Sequence, residues 1–84
     1  MKPSRPILLN SVPRHPWIGK FLFDPKQPHG QEFRGIIKEV SDDGAQSDLY
    51  VRFTYNDAED DFEINDYAFV PRNALVEPAM VRVS

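Results

Sequence analysis

The chain has 84 residues, a formal net charge of -3, eight prolines and no cysteine. That length supports one domain with a small core, and the lack of cysteine excludes a disulfide scaffold, a cysteine zinc site and a thiol nucleophile. The apolar runs are too short for a membrane span or for the core of a signal peptide. We therefore expect an intracellular, cytoplasmic protein.

The N-terminal segment is rich in proline, with four of the eight prolines in residues 1–16. Proline removes a backbone donor and disfavours helix both at its own position and at the preceding one. We predict an extended arm over 1–16 and a folded domain over 17–84.

From Trp17 onward, short segments of aromatic and β-branched residues alternate with turn residues, which is typical of strands. The clearest strand runs from Leu49 to Tyr55, with Leu49, Val51, Phe53 and Tyr55 on one face. No window has the apolar spacing of a helix. In chain order, the predicted strands cover 18–23, 32–41, 49–55, 61–64, 75–76 and 81–83, with one turn of 3₁₀ helix at 71–74. This pattern predicts an all-β fold of five to six short strands in an antiparallel sheet that closes on itself.

A small barrel needs aromatic residues to fill its core, and we expect Phe21, Ile37, Phe53 and Phe62 to be buried. In the predicted fourth strand, burial of Phe62 together with Ile64 turns the intervening acidic side chains toward water.

The segment Val51-Arg52-Phe53-Thr54-Tyr55-Asn56-Asp57, followed by Phe62-Glu63-Ile64, is similar to a pattern in Tudor-type domains. The order of parts from about Gly19 to Glu77 resembles that of the SH3-like barrels to which those domains belong. The resemblance implies a small antiparallel SH3-like barrel. It also implies a rim cage that holds methylated lysine or arginine through cation–π contacts. Carried over by position, the cage consists of Tyr55 with Asn56 or Asp57, and of Phe21 or Phe23.

Trp17 follows Pro16 directly and has two alternative roles. It pins the proline-rich arm onto the domain, or it is an exposed anchor for a partner.

The charge is unevenly distributed along the chain. Residues 1–38 carry seven Lys or Arg and two acids, whereas residues 39–66 carry ten Asp or Glu against Arg52 alone. The acids of two turns, among them Asp57, Asp60 and Asp61, would form one negative surface if the turns are adjacent. Such a surface would attract a basic partner or imitate a row of phosphates. The alternative is that the acids are ordinary solvated turn residues.

We predict a non-enzymatic binding or adaptor module for a protein or peptide, expected to be basic, with no cofactor and no metal. A net charge of -3 disfavours direct nucleic-acid binding, although Lys20, Lys26, Arg34 and Lys38 could form a basic strip with Trp17 and Phe33. One alternative is a small inhibitor or antirepressor of the phage or mobile-element type that mimics nucleic acid, and a third is a small oligomeric enzyme. The predicted partner-binding residues are Trp17, Phe23, Tyr55, Asn56, Asp57, Asp60 and Asp61.

Overall fold

The chain forms six strands in a computed structural model that describes residues 14–42, 44, 47–57, 59 and 61–83. The strands are β1 (Phe21–Phe23), β2 (Phe33–Ser41), β3 (Asp48–Asn56), β4 (Glu63–Pro71), β5 (Leu75–Glu77) and β6 (Met80–Arg82). The prediction of an all-β fold is confirmed. Within the described ranges, no helix is long and apolar enough to cross a membrane. The first 13 residues of the predicted arm, and Asp60, lie outside the described residues.

The strands form one sheet in the order β4-β3-β2-β1-β6-β5. Neighbouring strands are antiparallel except β1 and β6, which are parallel, so the expectation of an antiparallel sheet is wrong for this pair. A parallel pair needs a long connection, and the chain from β2 to β5 provides it. The sheet is open and mixed, with β4 and β5 at its edges.

β1 and β4 differ most from their predicted bounds, whereas the ends of the other strands differ by at most one residue. β1 begins at Phe21 because the preceding residues form a turn, in which the Lys20 N–H donates to the Trp17 carbonyl at 3.0 Å. β4 extends to Pro71 because it pairs with β3 residue by residue over its whole length. At 71–74 the Ala74 N–H donates to the Pro71 carbonyl at 3.0 Å, which closes a single turn.

The core lies on one face of the sheet. It comprises Trp17, Leu22, Ile37, Leu49, Val51, Phe53, Val70 and Val81, each less than 5% exposed. The predicted burial of Ile37 and Phe53 is confirmed. Phe21 and Phe62 are 46% and 54% exposed, so their predicted burial is wrong. Phe21 alternates with the buried Leu22, and Phe62 lies in the turn before β4 begins.

Gly35 brings β2 close against β3. Its φ is +152°, and a Cβ at this position would lie 2.8 Å from Cδ2 of Phe53 and against the Thr54 carbonyl. Only glycine fits such an approach without displacing its neighbours.

Candidate functional site

Three strands present their ends at one end of the sheet. β2 begins there at Phe33, β3 ends there with Tyr55 and Asn56, and β4 begins there at Glu63, which pairs with Asn56. Between them lies an open groove of about 630 Å³, which we call the hairpin groove. The hairpin groove is lined by Gln27, Gln31, Phe33, Arg34, Ile36, Lys38, Thr54, Tyr55, Asn56, Glu63 and Asp66.

Two partly exposed aromatic rings line the hairpin groove. Tyr55 is 37% exposed and its ring lies 6.4 Å from that of Phe53, while Phe33 is 51% exposed. The Phe33 ring meets Phe21 edge-on at 5.5 Å between centroids, an arrangement that favours a fixed ring orientation. The groove therefore offers aromatic surface in a defined position.

The structure brings together only part of the predicted cage. Tyr55 and Asn56 line the hairpin groove, but Phe23 does not. Phe23 is half-buried on β1, where the Arg82 guanidinium lies 5.8 Å from its ring centroid. Phe33 lines the groove instead, and the prediction missed it as a cage residue. Its position as an aromatic at the start of the second strand was the signal available in the sequence.

The hairpin groove contains side chains of both charges. The Arg34 guanidinium lies 5.2 Å from the centroid of the Phe53 ring, and its Nη1 is 3.8 Å from Oδ2 of Asp24. The positive charge of Arg34 is thus balanced by a carboxylate within its own neighbourhood. Lys38 adds a second positive charge to the groove, and Glu63 and Asp66 supply two carboxylates.

The β3–β4 turn beside the groove is closed by its own backbone. The Asp57 N–H donates to the Phe62 carbonyl at 3.0 Å, and the Asp61 N–H donates to the Asp57 carbonyl at 2.7 Å. Oδ1 of Asp57 accepts the Glu59 N–H at 2.8 Å. Asp61 has a φ of 55°, a conformation that aspartate tolerates better than most residues. Asp57 therefore shapes the turn, while Glu59 and Asp61 are exposed.

The two acidic turns do not merge into one surface. They flank β3 at opposite ends, which separates them by about 27 Å at the usual rise of a strand. The expectation of a single surface from both turns is therefore wrong. At the far end, Asp42 bonds to Arg72 with Oδ1 to Nη2 at 2.9 Å and Oδ2 to Nη1 at 3.0 Å. This bond, together with the Gly44 N–H, lowers the pKa of Asp42.

Trp17 is a core residue and not an exposed anchor. It is 4% exposed, its backbone N–H donates to Nδ1 of His15 at 3.2 Å, and the two rings meet edge-on at 5.2 Å. Nε2 of His15 lies 3.5 Å from Oδ2 of Asp42. The hypothesis of an exposed binding role for Trp17 is wrong, and its contacts join residues 15–17 to the turn after β2.

A second exposed aromatic feature, which the sequence analysis missed, lies on the face of β3 and β4 opposite the core. The Tyr50 and Tyr67 rings are stacked with centroids 5.4 Å apart and planes 9° apart, and Phe69 lies 4.8 Å from Tyr50. We call these three residues the aromatic ladder. The exposed fractions of its side chains are 41%, 51% and 67%. The available signal was the period-two spacing of Tyr67 and Phe69 in a segment not assigned to a strand.

Among the residues described, no group of three or more His, Asp or Glu side chains is placed to hold a metal ion. No family model, curated protein or solved structure matches this chain. Its function is therefore inferred from the hairpin groove and the surfaces around it.

Proposed function

We propose that this chain is a non-enzymatic binding module whose hairpin groove takes a cationic side chain of a protein or peptide partner. One observation carries the proposal: two exposed aromatic rings, Tyr55 and Phe33, line the same groove as the carboxylates of Glu63 and Asp66. A cation is attracted by the face of an aromatic ring and by a carboxylate at once. That combination favours a lysine or arginine guest, including methylated forms.

The size of the groove supports a peptide side chain as its guest. A volume of about 630 Å³ falls within the usual range for ligand sites, about 300 to 1,000 Å³. The groove is open to solvent, so a guest side chain can enter it from outside. Asn56 supplies an amide that can hydrogen-bond that backbone.

The acidic β3–β4 turn adds a steering function to the proposal. Glu59 and Asp61 are exposed beside the groove, on the same hairpin as Glu63. A cluster of like charge near a site raises the association rate of an oppositely charged partner. The predicted contribution of Asp60 to this cluster lies outside the described residues.

The interpretation of the fold as SH3-like and Tudor-like belongs to this proposal. An all-β domain with a mixed six-stranded sheet is compatible with it, although the sheet is open. A cage at the end of the third strand is where the resemblance places the site. The proposed cage differs from the expected one because Phe33 takes the place of Phe21 or Phe23.

Substitution of the groove aromatics tests the proposed site. The probe is a short Lys- and Arg-rich peptide that contains one trimethyllysine, with affinity measured by fluorescence anisotropy. We expect Tyr55→Ala and Phe33→Ala each to weaken binding about tenfold, the size of one cation–π contact. Tyr50→Ala, an equally exposed tyrosine outside the groove, is the matched control and should leave the affinity unchanged. Equal losses at Tyr50 and Tyr55, or no binding by the wild type, would contradict the proposal.

The second candidate function is nucleic-acid mimicry, supported by the exposed acids Glu59, Asp61 and Glu63 of one hairpin. A mimic binds through its row of charges and has no need of an aromatic cage. With poly-lysine as the probe, this candidate predicts that Asp61→Asn combined with Glu59→Gln abolishes binding while Tyr55→Ala has no effect. The reverse pattern supports the groove.

A further inference from the structure

The free edge of β4 is a long unpaired stretch of backbone. β4 spans nine residues and pairs with β3 on one side, whereas the opposite edge strand, β5, spans three. No strand of the described residues pairs with the other side of β4. Because an edge of this kind presents a row of N–H and C=O groups, it can accept a further strand.

Hydrogen bonds at both ends of β4 establish which backbone groups point away from β3. The Arg72 N–H donates to the Ser47 carbonyl at 2.9 Å, and the Phe62 carbonyl accepts the Asp57 N–H at 3.0 Å. Residues 62 and 72, on either side of β4, thus both direct their backbone groups toward the side of β3. The even-numbered residues of β4 therefore do the same. Backbone groups alternate sides along an antiparallel strand. The free edge therefore carries the N–H groups of Glu63, Asn65, Tyr67 and Phe69.

This edge has only some of the features that protect edge strands. β4 carries the charges of Glu63 and Asp66, but it has no lysine, no proline before its last residue and no break in its register with β3. Charged side chains, proline and bulges are the usual means by which natural edges avoid pairing. One donor is engaged locally, because Oδ1 of Asp66 accepts the Tyr67 N–H at 2.8 Å.

We propose that β4 pairs with β4 of a second copy of this chain, antiparallel about a two-fold axis at Tyr67. A second copy supplies a strand of the same length with the same exposed rings, Tyr67 and Phe69. The charges along the strand select the antiparallel orientation, because β4 begins at Glu63, next to Asp61, and ends at the uncharged Pro71. Antiparallel pairing separates the acidic starts of the two strands, whereas parallel pairing would set acid against acid.

The register follows from the length of β4. Tyr67 is the midpoint of Glu63–Pro71, so an axis there lets all nine residues of each copy pair. Edge-facing residues then meet edge-facing residues, with Tyr67 opposite Tyr67 of the second copy and Asn65 opposite Phe69. An axis at Asp66 would instead set two carboxylates side by side, which is unfavourable.

The proposed pairing also brings part of the exposed aromatic ladder into the interface between the two copies. Tyr67 and Phe69 protrude on one face of the edge strand, and an axis perpendicular to the sheet keeps that face common to both copies. The ladders of the two copies then join into one continuous aromatic row, in which rings contact each other across the axis.

Analytical ultracentrifugation of the full chain over a range of concentrations tests the proposal. We expect a monomer–dimer equilibrium between the 9.7 kDa chain and twice that mass. Tyr67→Lys places like charges across the axis and should weaken the dimer at least about tenfold. Tyr50→Lys is the matched control: it breaks the same Tyr50–Tyr67 stack and changes the charge equally, but lies on β3, away from the edge. Tyr50→Lys should change the dissociation constant of the dimer by no more than about twofold.

A variant that strengthens the dimer provides the second arm. Asp66→Ala releases the Tyr67 N–H for pairing, so dimerisation should become several-fold tighter. Trp17 fluorescence shows whether Tyr67→Lys folds. If it does not, Asn65→Lys is used in its place, because it puts the same charge at another edge position. A wild type that stays monomeric to about 1 mM overturns the proposal and leaves the edge to a foreign strand. Equal weakening by Tyr50→Lys and Tyr67→Lys also overturns it, because that result indicates association through the aromatic face.

Discussion

Gly35 is the residue on which the packing of β2 against β3 depends most directly. Gly35→Ala places a Cβ 2.8 Å from Cδ2 of Phe53 and keeps a φ of +152° that L-residues rarely adopt. We expect a loss of about 3 kcal/mol in the free energy of unfolding, from overpacking together with backbone strain. Urea unfolding followed by the fluorescence of Trp17, the only tryptophan, measures it.

Gly44→Ala is the control for this substitution. Gly44 also has a positive φ, +81°, but its Cβ would meet nothing within 4 Å. Its cost should be that of backbone strain alone, about 1 kcal/mol. Equal losses at the two glycines would show that the approach of β2 to β3 is not tight at Gly35.

We expect the ionisation of Asp42 to make the free energy of unfolding depend on pH in the acid range. Hydrogen bonds from the Arg72 side chain and from the Gly44 N–H hold the pKa of Asp42 below its ordinary value of 3.8. A carboxylate with a lowered folded-state pKa contributes stability above its unfolded pKa. That contribution is lost as the pH falls through the lower, folded value.

We therefore expect Asp42→Asn to be less stable than the wild type near neutral pH. The difference in unfolding free energy should shrink between about pH 5 and pH 2, where the wild-type carboxylate becomes protonated. Denaturant titrations at several pH values measure the difference. A difference that stays constant over this range would mean that the ionised form of Asp42 does not stabilise the fold.

At the scale of elements, the β3–β4 hairpin carries both the hairpin groove and the aromatic ladder. The stacking of Tyr50 and Tyr67 across the two strands predicts a coupling energy of about 0.5 to 1 kcal/mol between Tyr50→Ala and Tyr67→Ala. Unfolding of the single and double variants in dilute solution gives this value. Phe21 and Tyr67, which lie on β1 and β4, form the control cycle and should be additive. Coupling energies of the same size in both cycles would mean that the Tyr50–Tyr67 stack has no specific stabilising role.

β3 and β4 also show how far the sequence predicts the structure. β3 was predictable because Leu49, Val51 and Phe53 alternate with polar residues and are all buried. β4 was predicted too short because Asn65 and Asp66 are typical of loops. In the fold they are accommodated by pairing with β3, and Asn65 accepts a hydrogen bond from Arg52 at 2.7 Å. Tertiary pairing of this kind overrides local propensity.

The candidate site was predictable to a similar degree. Tyr55 and Asn56 were identified because they end a clear strand beside a polar turn, and both line the hairpin groove. Phe33 was missed as a cage residue because it joins the groove through the pairing of β2 with β3, a contact between distant parts of the sequence. Of the two roles considered for Trp17, the exposed anchor was wrong, because nothing in its local sequence indicates that its ring joins the core.

At the scale of the whole molecule, the net charge of -3 combines two very different regions. The described acids after residue 38 lie in several places. Asp42, at one end of β3, contacts Arg72 and His15, and Glu39 contacts Arg52 within the sheet. Glu59, Asp61 and Glu63 are exposed at the other end of β3, beside the hairpin groove. Exposed acidic side chains are thereby grouped at the end of the sheet where we place the partner.

The most direct test of this account is a titration of the ¹⁵N-labelled chain with the trimethyllysine peptide, followed by two-dimensional NMR. If the hairpin groove is the binding site, the largest shift changes will occur at Phe33, Tyr55, Asn56 and Glu63, while the Trp17 indole signal stays in place. An acetyllysine version of the peptide, which lacks the cation, should produce much smaller changes. Changes centred on Tyr50 and Phe69, or no changes at all, would contradict a binding role for the groove.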